Sequence, residues 1–384
     1  MVVLQSTAFC NINCRYCYLP DRDDKHVLAQ STVTRLFSEL FASGWAAPQL
    51  TVVWHAGEPL VVPVDFYRQA FATIERLRPP SVTVTHAFQT NGMLIDDDWC
   101  TLFRDWKVGV GVSLDGPRAL HDANRRTRAG AGTFDRTLAG IRRLQQEKLP
   151  FHVISVLSSA SLDDPDGLLD FYLDLGIDHV CFNVEESEGS HVSQLFAGAE
   201  LQQRYAGFLR RFWHKARADG RVKFVREIDL AIPRVFRPSE APTRNVQVAP
   251  LAMLNVDSRG NVSTFSPELL GLRNPDYADF LLGNINTHSL PAIHEACLRS
   301  AMHRDIQQGV AACRAQCEYF SVCGGGAPVN KLFENGSFAS TRTSFCTLTQ
   351  IVPTDLILEA YDRLEQSWSP AMANQAVASP SRLP

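Results

Sequence analysis

The feature that most constrains this chain is a set of three cysteines near its start, Cys10, Cys14 and Cys17, in the run AFCNINCRYCYLP. Three thiolates on one short loop can hold three irons of a [4Fe-4S] cube and leave the fourth iron open, whereas ordinary iron–sulfur proteins close all four positions with cysteine. Structural zinc is the alternative, but zinc prefers paired C-x-x-C units, and His26 is the only close fourth ligand. The spacing therefore indicates a reactive site rather than an electron store.

Length and composition exclude several classes of protein. The 384 residues are 45% hydrophobic and 20% charged with a net charge of −4, so the chain can bury a large core and offers no basic surface for nucleic acid. No apolar run reaches membrane-spanning length, and the strand-like start at Val2 replaces a signal peptide, so we expect a cytoplasmic protein without a membrane partner. Seven of ten cysteines form two spaced sets, which favours metal or redox chemistry over disulfides. Cys100, Cys181 and Cys297 stand alone and are expected to be buried small hydrophobes.

The first half of the chain alternates β-rich runs with amphipathic helical patterns. The strand-like runs are Val2–Thr7, Leu50–His55, Thr83–Gln89, Val108–Ser113, His152–Leu157 and His179–Val184. Helical patterns between them include Ser31–Ala42, Phe66–Leu77 and Thr133–Gln146, the last with Thr133 as its predicted N-cap. Six βα units in series predict an α/β fold, a partial (β/α)6 TIM-like barrel whose ligands gather at the carboxyl ends of the strands.

The pattern changes after the sixth strand, and we expect further regions there. The predicted divisions are a barrel over 1–186, a helical bridge over 187–248, a small domain over 249–350, and a C-terminal helix with a disordered tail over 351–384. The bridge contains a long helix around Glu200–Ala218. The small domain opens with a β-hairpin, Met253–Val256 and Val262–Phe265, around a turn at Gly260.

The run His55-Ala56-Gly57-Glu58-Pro59 follows the second strand at the right distance from the cysteine loop. Together the two motifs resemble those of radical S-adenosylmethionine (SAM) enzymes, in which the open iron chelates the methionine end of SAM. The resemblance implies backbone contacts at Ala56 and Gly57, and it makes Glu58 the acid that meets the ammonium of SAM. The family commonly carries glycine where this chain has Ala56, a small change that we expect to leave the backbone contact intact. In isolation, Gly-Glu-Pro would be read as a simple turn.

Polar residues also follow the third and fourth strands, as a ribose and carboxylate site requires. By the same resemblance, Ser113 and Arg125 would contact the ribose or carboxylate of SAM, and the ring of Tyr16 would lie against its adenine. The predicted SAM-binding residues are Tyr16, Ala56, Gly57, Glu58, Asn91, Ser113 and Arg125. The alternatives are structural roles: the Asn-Gly pair after the third strand would be only a turn, and His121 and Asp122 would only cap a helix.

A second cysteine set, Cys313, Cys317, Cys323 and Cys346, lies near the C-terminus around a triple glycine. Four thiolates without a spare histidine suit a fully ligated [4Fe-4S] cluster, with a four-cysteine zinc site as the alternative. The set resembles the SPASM domain that follows the barrel in many peptide-modifying radical SAM enzymes and normally holds two auxiliary clusters. Phe265 occupies the place of that family's hairpin cysteine, its companion before the hairpin is missing, and Ala327 occupies a third place. We therefore predict two [4Fe-4S] clusters in total, one SAM-binding and one auxiliary.

The runs WHAGEPL, STFSPELLG and CEYFSVCGGGAPVNK make the chain similar to the cyclophane-forming radical SAM/SPASM maturases of ribosomal peptides, including the subgroup that acts on glycine-rich-repeat precursors. Anaerobic sulfatase-maturing enzymes are more distant relatives by this resemblance. They carry an acid just after the hairpin cysteine as general base, where this chain has Ser266. A serine is no base near neutral pH without a partner.

The resemblance implies a reaction and its participants. Reduced SAM would yield a 5′-deoxyadenosyl radical that takes a β-hydrogen from a precursor peptide, and the carbon radical would then join an aromatic ring two residues away. The auxiliary cluster would accept the remaining electron and a carboxylate the proton. Glu268, Glu185 and Glu186 are the candidate bases, or else ordinary surface acids. Flavodoxin or ferredoxin would donate the first electron. Formylglycine formation, thioether formation and a non-catalytic iron–sulfur or zinc protein remain alternatives.

Overall fold

The computed structural model describes residues 1–189, 191, 193, 200–236 and 245–367. The strands in this part are β1 Val2–Leu4, β2 Gln49–Trp54, β3 Thr83–Thr90, β4 Gly109–Ser113, β5 Phe151–Leu157, β6 His179–Val184, β7 Phe224–Val225, β8 Leu254–Val256, β9 Asn261–Thr264 and β10 Gly283–Asn284. The helices of the first half are α1 Gln30–Ala42, α2 Val64–Leu77, α3 Asp97–Asp105, α4 Arg118–Asn124, α5 Phe134–Gln146 and α6 Pro165–Asp174. Those of the second half are α7 Leu201–Asp219, α8 Arg226–Asp229, α9 Ile232–Val235, α10 Leu290–Arg299, α11 Ala301–Gln316, α12 Phe320–Cys323, α13 Pro328–Asn335, α14 Ser344–Cys346 and α15 Val352–Ser367.

The first six strands run parallel in their sequence order, which confirms the predicted partial barrel. All six predicted strands are present. The first is shorter than predicted because the chain leaves the ladder after Leu4, and Gln5 then donates its backbone N–H to Val256. Because parallel strands place their carboxyl ends on one side, the loops after β1 to β6 meet over a common space.

The predicted hairpin is present as β8 and β9, but it does not stand apart from the barrel. Strand β8 pairs in parallel with β1, with Val2 opposite Leu254 and Leu4 opposite Val256, and β9 and β10 continue the same sheet. All three residues of β1 are buried, so the hairpin covers an edge that would otherwise expose unpaired backbone groups. The C-terminal region is thereby joined to the strand that leads into the cysteine loop.

Helix α2 shows why the helical layer packs on the sheet. Its buried residues Tyr67, Ala70, Phe71 and Ile74 recur at helical spacing and form one apolar face. The ring of Tyr67 meets the ring of the buried Trp54 of β2 edge-on at 5.0 Å. Such contacts make the outer layer and the sheet one core, and they leave the carboxyl ends of the strands for the site.

The start of α5 corrects one prediction. Thr133 occupies the N-cap position, but its side chain does not cap the helix. Asp122 does so instead: its Oδ1 accepts the backbone N–H groups of Thr133 and Phe134 at 2.8 and 2.9 Å. The Thr133 hydroxyl is held by the buried His121 and donates to the carbonyl of Arg125 at 2.9 Å. The capping interpretation of Asp122 is thus confirmed. The hydrogen bond from Thr133 holds the backbone of Arg125 in position.

Other expectations have simple outcomes. Cys100, Cys181 and Cys297 are buried and free, as predicted. The long helix of the predicted bridge is α7, whereas residues 190, 192, 194–199 and 237–244 of that bridge lie outside the described residues, as does the predicted tail after Ser367. In the described part of the chain, no helix has the length and apolar character needed to cross a membrane.

Candidate active site

A cavity of about 400 Å³ opens at the carboxyl ends of the barrel strands. It is lined by the three N-terminal cysteines, by every residue predicted to bind SAM, and by all three predicted base residues. These side chains come from loops that are up to 258 residues apart in the chain, from Cys10 to Glu268. The structure therefore brings the sequence-predicted site together in one space, whereas Cys313, Cys317, Cys323 and Cys346 lie outside it.

The three thiols of the N-terminal loop are free and half-buried. Burial raises the pKa of Cys10 to about 12 and that of Cys14 to about 11, with Glu58 and the neighbouring thiols adding to the shift at Cys10. Arg125 opposes the shift at Cys14, and its Nη1 lies 3.9 Å from the Cys14 sulfur. Three thiols of one loop that face one cavity are a donor set that fits an iron cluster, and metal binding would displace their protons.

Gly57 forms the floor of this loop. It adopts a left-handed conformation with φ +74°, and a Cβ there would lie 2.3 Å from the carbonyl oxygen of Thr7 and 2.9 Å from those of Ala8 and Phe9. Only glycine lets the two backbones approach this closely. Ala56 shares the conformation, with φ +69°, but carries a side chain.

Glu58 ties the ends of β2 and β3 together. Its carboxylate accepts hydrogen bonds from Leu60 N, Thr90 Oγ1 and Asn91 N at 3.0, 2.6 and 2.8 Å, and its own N–H donates to Phe9. Glu58 is 1% exposed, and burial raises its pKa to about 7 although the three hydrogen bonds oppose the rise. The carboxylate is thus both part of the fold and able to meet an ammonium in the cavity.

The Asn91 and Ser113 side chains are held by neighbours that sequence reasoning missed. Asn91 Nδ2 donates to Asn11 Oδ1 at 2.7 Å, so it links the third strand to the cysteine loop. Gln89 Nε2 donates to Ser113 Oγ at 3.1 Å and lines the same cavity. Both predicted residues therefore lie at the site in fixed orientations.

Asp115 is the most important residue that the sequence reasoning passed over. It is 1% exposed and forms a two-pronged ion pair with Arg125 at 3.0 and 3.1 Å. It also accepts hydrogen bonds from the Tyr16 hydroxyl and from Val156 N. The Arg125 guanidinium lies 5.3 Å from the Tyr16 ring. Asp115 is the middle residue of the Ser-Leu-Asp-Gly-Pro run that begins at the last residue of β4, so its position at a strand end was the available signal.

Three carboxyls, the buried Glu188 and the half-buried Glu186 and Glu268, line the far part of the cavity, and we call them the carboxylate cluster. Burial raises the pKa of all three: that of Glu186 to about 7, and that of Glu188 well above its usual range with help from Glu186 and Glu268. The carboxyls of Glu186 and Glu188 are hydrogen-bonded, so the pair holds a proton more firmly than a lone acid would. Glu188 was missed although it lies two residues after Glu186.

The partners of the predicted bases differ. Glu268 accepts a hydrogen bond from the Ser266 hydroxyl, Glu186 accepts one from Asn330 Nδ2 at 2.6 Å, and Glu185 pairs with His191 at 3.0 Å. The serine at the place of the relatives' acid therefore has a carboxylate partner that enters the cavity. None of the three is the exposed surface acid of the alternative interpretation.

The second cysteine set gathers from α11, the following loop, α12 and α14. The four thiols are free. Burial raises the pKa of Cys323 and of Cys346, and the nearby thiols of the same set add to the rise. A cavity of about 260 Å³ lies beside Cys323, Cys346 and Ala327. Phe265, at the hairpin position that lacks the family's cysteine, is fully buried and stacks on His303 at 6.3 Å.

A buried cation tests whether an iron cluster fits this set. Lys331 is 2% exposed, and its Nζ donates to the Cys313 sulfur at 3.3 Å. A buried ammonium needs an anion beside it, which a cluster with four thiolate ligands supplies. Within the described ranges no three or more His, Cys, Asp or Glu side chains are arranged to hold one metal ion. A cube takes one thiolate on each iron, so its ligands stand at separate corners instead of around one ion.

Comparison with known proteins identifies the class to which this site belongs. The family described as the Radical SAM superfamily matches residues 4–172. An uncharacterized protein from Synechocystis sp. is 40% identical over 350 residues, 90% of this chain and 88% of that protein. A serine-type anaerobic sulfatase-maturating enzyme from Klebsiella aerogenes is 28% identical over 331 residues, 84% of this chain and 77% of that enzyme. Residues 4–172 therefore form a radical SAM domain, and such a domain implies SAM and one [4Fe-4S] cluster as cofactors.

Solved structures agree on the fold. Native anSMEcpe with bound AdoMet and Kp18Cys peptide has a TM-score of 0.74 at 18% identity, covering 96% of this chain and 98% of that chain. Streptococcus suis SuiB bound to precursor peptide SuiA has a TM-score of 0.59 at 15% identity, covering 90% of this chain and 75% of that chain. These likenesses extend beyond the barrel into the C-terminal region.

Proposed function

We propose that the protein is a radical SAM peptide maturase that joins a β-carbon of a ribosomal precursor peptide to an aromatic ring and so forms a cyclophane. The observation that carries the proposal is the single cavity in which the cysteine loop and the predicted SAM-binding residues face the carboxylate cluster. The sulfatase-maturating relative acts on a protein, and SuiB binds a precursor peptide, which supports a peptide as substrate. A donor such as flavodoxin or ferredoxin supplies the electron that starts the reaction.

The chain's own residues would prepare the SAM end of the cavity. When bound, SAM and its cluster supply a 5′-deoxyadenosyl radical that can take a hydrogen from an unactivated carbon. Cys10, Cys14 and Cys17 would hold the irons, and Glu58 would accept the ammonium of SAM with its remaining lone pair. Asp115 fixes Arg125 beside Cys14, so this arginine can meet a carboxylate without moving. Positioning of this kind lowers the entropic part of the barrier.

The far end of the cavity would take the proton that must leave when the ring regains its aromaticity. Glu268 is the favoured acceptor because its ordering partner, Ser266, is a neutral hydroxyl, whereas the Glu186 carboxyl is hydrogen-bonded to a second acid, Glu188. Glu186 is the second candidate, whereas Glu185 is engaged with His191. Burial raises the pKa of Glu268, and a base whose pKa approaches the working pH transfers protons efficiently.

The second cysteine set would hold one auxiliary [4Fe-4S] cluster that accepts the remaining electron. Cys313, Cys317, Cys323 and Cys346 supply one thiolate for each iron, so the peptide would not bind iron there. The proposed total is therefore two clusters per chain.

Formylglycine formation is a second candidate, favoured by the 28% identity to a sulfatase-maturating enzyme over 84% of the chain. Thioether formation is a third and requires a cysteine in the precursor. Mass alone does not separate the three products, because a cyclophane, a thioether and a serine-derived formylglycine each lose two hydrogens. An aldehyde is captured by a hydrazide, and a thioether removes a thiol from alkylation by iodoacetamide. A cyclophane does neither and suppresses fragmentation between the linked residues.

The test is anaerobic reconstitution with iron, sulfide, SAM, a reductant and the peptide encoded beside this gene. We expect 5′-deoxyadenosine and a peptide that lacks two hydrogens per cross-link. Glu268→Gln should lower the yield of cross-linked peptide for each deoxyadenosine formed, whereas Glu295→Gln, an exposed position on α10, should not. Capture of the product by hydrazide would replace the cyclophane with formylglycine. Absence of deoxyadenosine would leave a non-catalytic iron–sulfur or zinc protein.

A further inference from the structure

The lysine beside the second cysteine set has an unusual environment. Lys331 is buried, and among the described ion pairs none involves its ammonium, which donates to Cys313 Sγ. Its aliphatic stem packs near Gly326: a Cβ at that glycine would lie 3.6 Å from the lysine Cε. Surface lysines move freely, but this one is enclosed with its charge against a thiol.

Other donors point at the same set. Backbone N–H groups of Gly325 and Gly326 are hydrogen-bonded to the Cys323 thiol and favour its ionised form. Both glycines have left-handed backbones, with φ +112° and +75°, and the Gly326 carbonyl is held by Asn245 at 2.7 Å. An ammonium therefore lies against one sulfur of the set, and backbone N–H dipoles lie against another. Hydrogen bonds and charges near cluster sulfurs are what set a cluster's reduction potential.

Helix α13 joins this environment to the active-site cavity. Asn330, the residue before Lys331, is buried and donates to Glu186 of the carboxylate cluster at 2.6 Å. Two consecutive residues of one helix thus touch Glu186, the second candidate for the proton acceptor, and Cys313, a ligand of the proposed electron acceptor. Loss of a proton and of an electron from the same substrate radical is the step that would use both acceptors.

We propose that Lys331 is a positioning residue that holds its ammonium against the Cys313 thiolate and raises the reduction potential of the auxiliary cluster, so that this cluster takes one electron from the substrate radical while a carboxylate takes the proton. The inference rests on the proposed function, because it needs an auxiliary cluster. A positive charge beside the cluster stabilises the reduced form, which carries one more negative charge. The electron balance closes: the ring radical loses one electron and one proton, and the cluster gains the electron.

The test is an anaerobic redox titration followed by electron paramagnetic resonance. The full-length chain carries Cys10→Ala, Cys14→Ala and Cys17→Ala, so that only the auxiliary cluster remains. About four irons per chain confirm that cluster first. Lys331→Met should then lower the equilibrium constant for its reduction at least tenfold, which is about 59 mV in midpoint potential for one electron. Lys331→Arg, which keeps the charge, should restore most of the shift.

Controls separate the possible failures. Lys107→Met removes an exposed lysine next to the amino end of β4, on the opposite side of the barrel from the site, and should leave the midpoint unchanged. Fewer than about two irons in the parent chain would reject the auxiliary cluster, and with it the proposed electron acceptor, before any lysine variant is measured. A normal cluster with the same midpoint in Lys331→Met would overturn the role of Lys331 alone. If Lys331→Met loses iron, retention in Lys331→Arg supports the need for the charge, and loss in both assigns Lys331 to packing and rejects the proposal.

Discussion

The two cysteine sets differ in what surrounds them. The N-terminal set opens onto a cavity, where Glu58 adds to the raised pKa of Cys10 and the charge of Arg125 beside Cys14 is offset by its ion pair with Asp115. The C-terminal set lies outside that cavity and has Lys331 and two backbone N–H groups against its sulfurs. A cluster surrounded by negative charge is a stronger reductant than one surrounded by positive charge. The contrast indicates a direction of electron flow: the cluster at the first set would give an electron to SAM, and the cluster at the second set would take one from the substrate radical.

The largest test of this contrast removes one set completely. Cys10→Ala, Cys14→Ala and Cys17→Ala together should abolish cleavage of SAM, because these three thiolates hold the cluster whose fourth iron is free to bind SAM. Iron should fall from about eight to about four per chain. Cys181→Ala, which removes a lone buried cysteine, should keep both clusters and cleavage. Deoxyadenosine formation by the triple variant would show that the first set has another role.

The second test opens the other set. Cys323→Ala frees one iron and should loosen the C-terminal region, because cluster binding and folding are coupled. We expect SAM cleavage to continue in the barrel while the cross-linked product falls to near zero. Deoxyadenosine and peptide mass, measured on the same sample, give the ratio. Normal cross-linking in a variant shown to lack the second cluster would reduce that site to a structural role.

The two cysteine sets themselves, unlike the charges around them, could be predicted from local sequence, and the reason is physical. Cysteine spacing reports ligand sets directly, and the βα alternation leaves few arrangements of a parallel sheet. The pairing of β8 with β1 could not be predicted, because a hairpin pattern indicates the partner strand within the hairpin and not the third strand beside it. Register with a distant strand depends on tertiary packing.

The residues that were missed share one property. Asp115, Glu188 and Lys331 are charged types that are normally exposed, and their burial is decided by contacts with parts of the chain far away in sequence. Asp115 meets Tyr16 across 99 positions, and Lys331 meets Cys313 across 18. The prediction of Thr133 as a cap was wrong for a related reason: Asp122 of the preceding helix accepts the N–H groups at the start of α5.

A third test addresses the anionic side of the contrast. Glu58→Gln places an amide NH2 against backbone and hydroxyl donors, so it should destabilise the fold by about 1–3 kcal/mol as well as weaken SAM binding. The resemblance to radical SAM enzymes predicted only that this acid meets the ammonium of SAM. Glu295→Gln is the exposed control. Calorimetric SAM titration and thermal unfolding of the same preparations would separate the two effects, and unchanged values in both would leave Glu58 without either role.

The acid also predicts a pH dependence. Its pKa is about 7 in the folded protein against 4.5 for an ordinary glutamic acid, so the folded chain retains a proton that the unfolded chain releases. The stability that this group contributes is present below pH 4.5 and is lost as the pH rises through 7. The difference in unfolding free energy between the wild-type chain and Glu58→Gln should therefore shrink from pH 5 to pH 8. A constant or widening difference would contradict the raised pKa of this buried acid.

The smallest expected effect compares the loops that support the two sets. Ala56 beneath the first set and Gly326 beside the second both have left-handed backbones, with φ +69° and +75°, but only the first carries a Cβ. That conformation costs a non-glycine residue about 1–2 kcal/mol, part of which glycine returns as lost freedom on folding. Ala56→Gly should therefore stabilise the chain by about 0.5–1 kcal/mol, and Gly326→Ala, whose new Cβ meets only the Lys331 stem at an ordinary 3.6 Å, should destabilise it by a similar amount. Thermal unfolding of both variants checks the pair, and a loss of stability in Ala56→Gly would mean that the alanine methyl packs the cysteine loop in place instead of straining it.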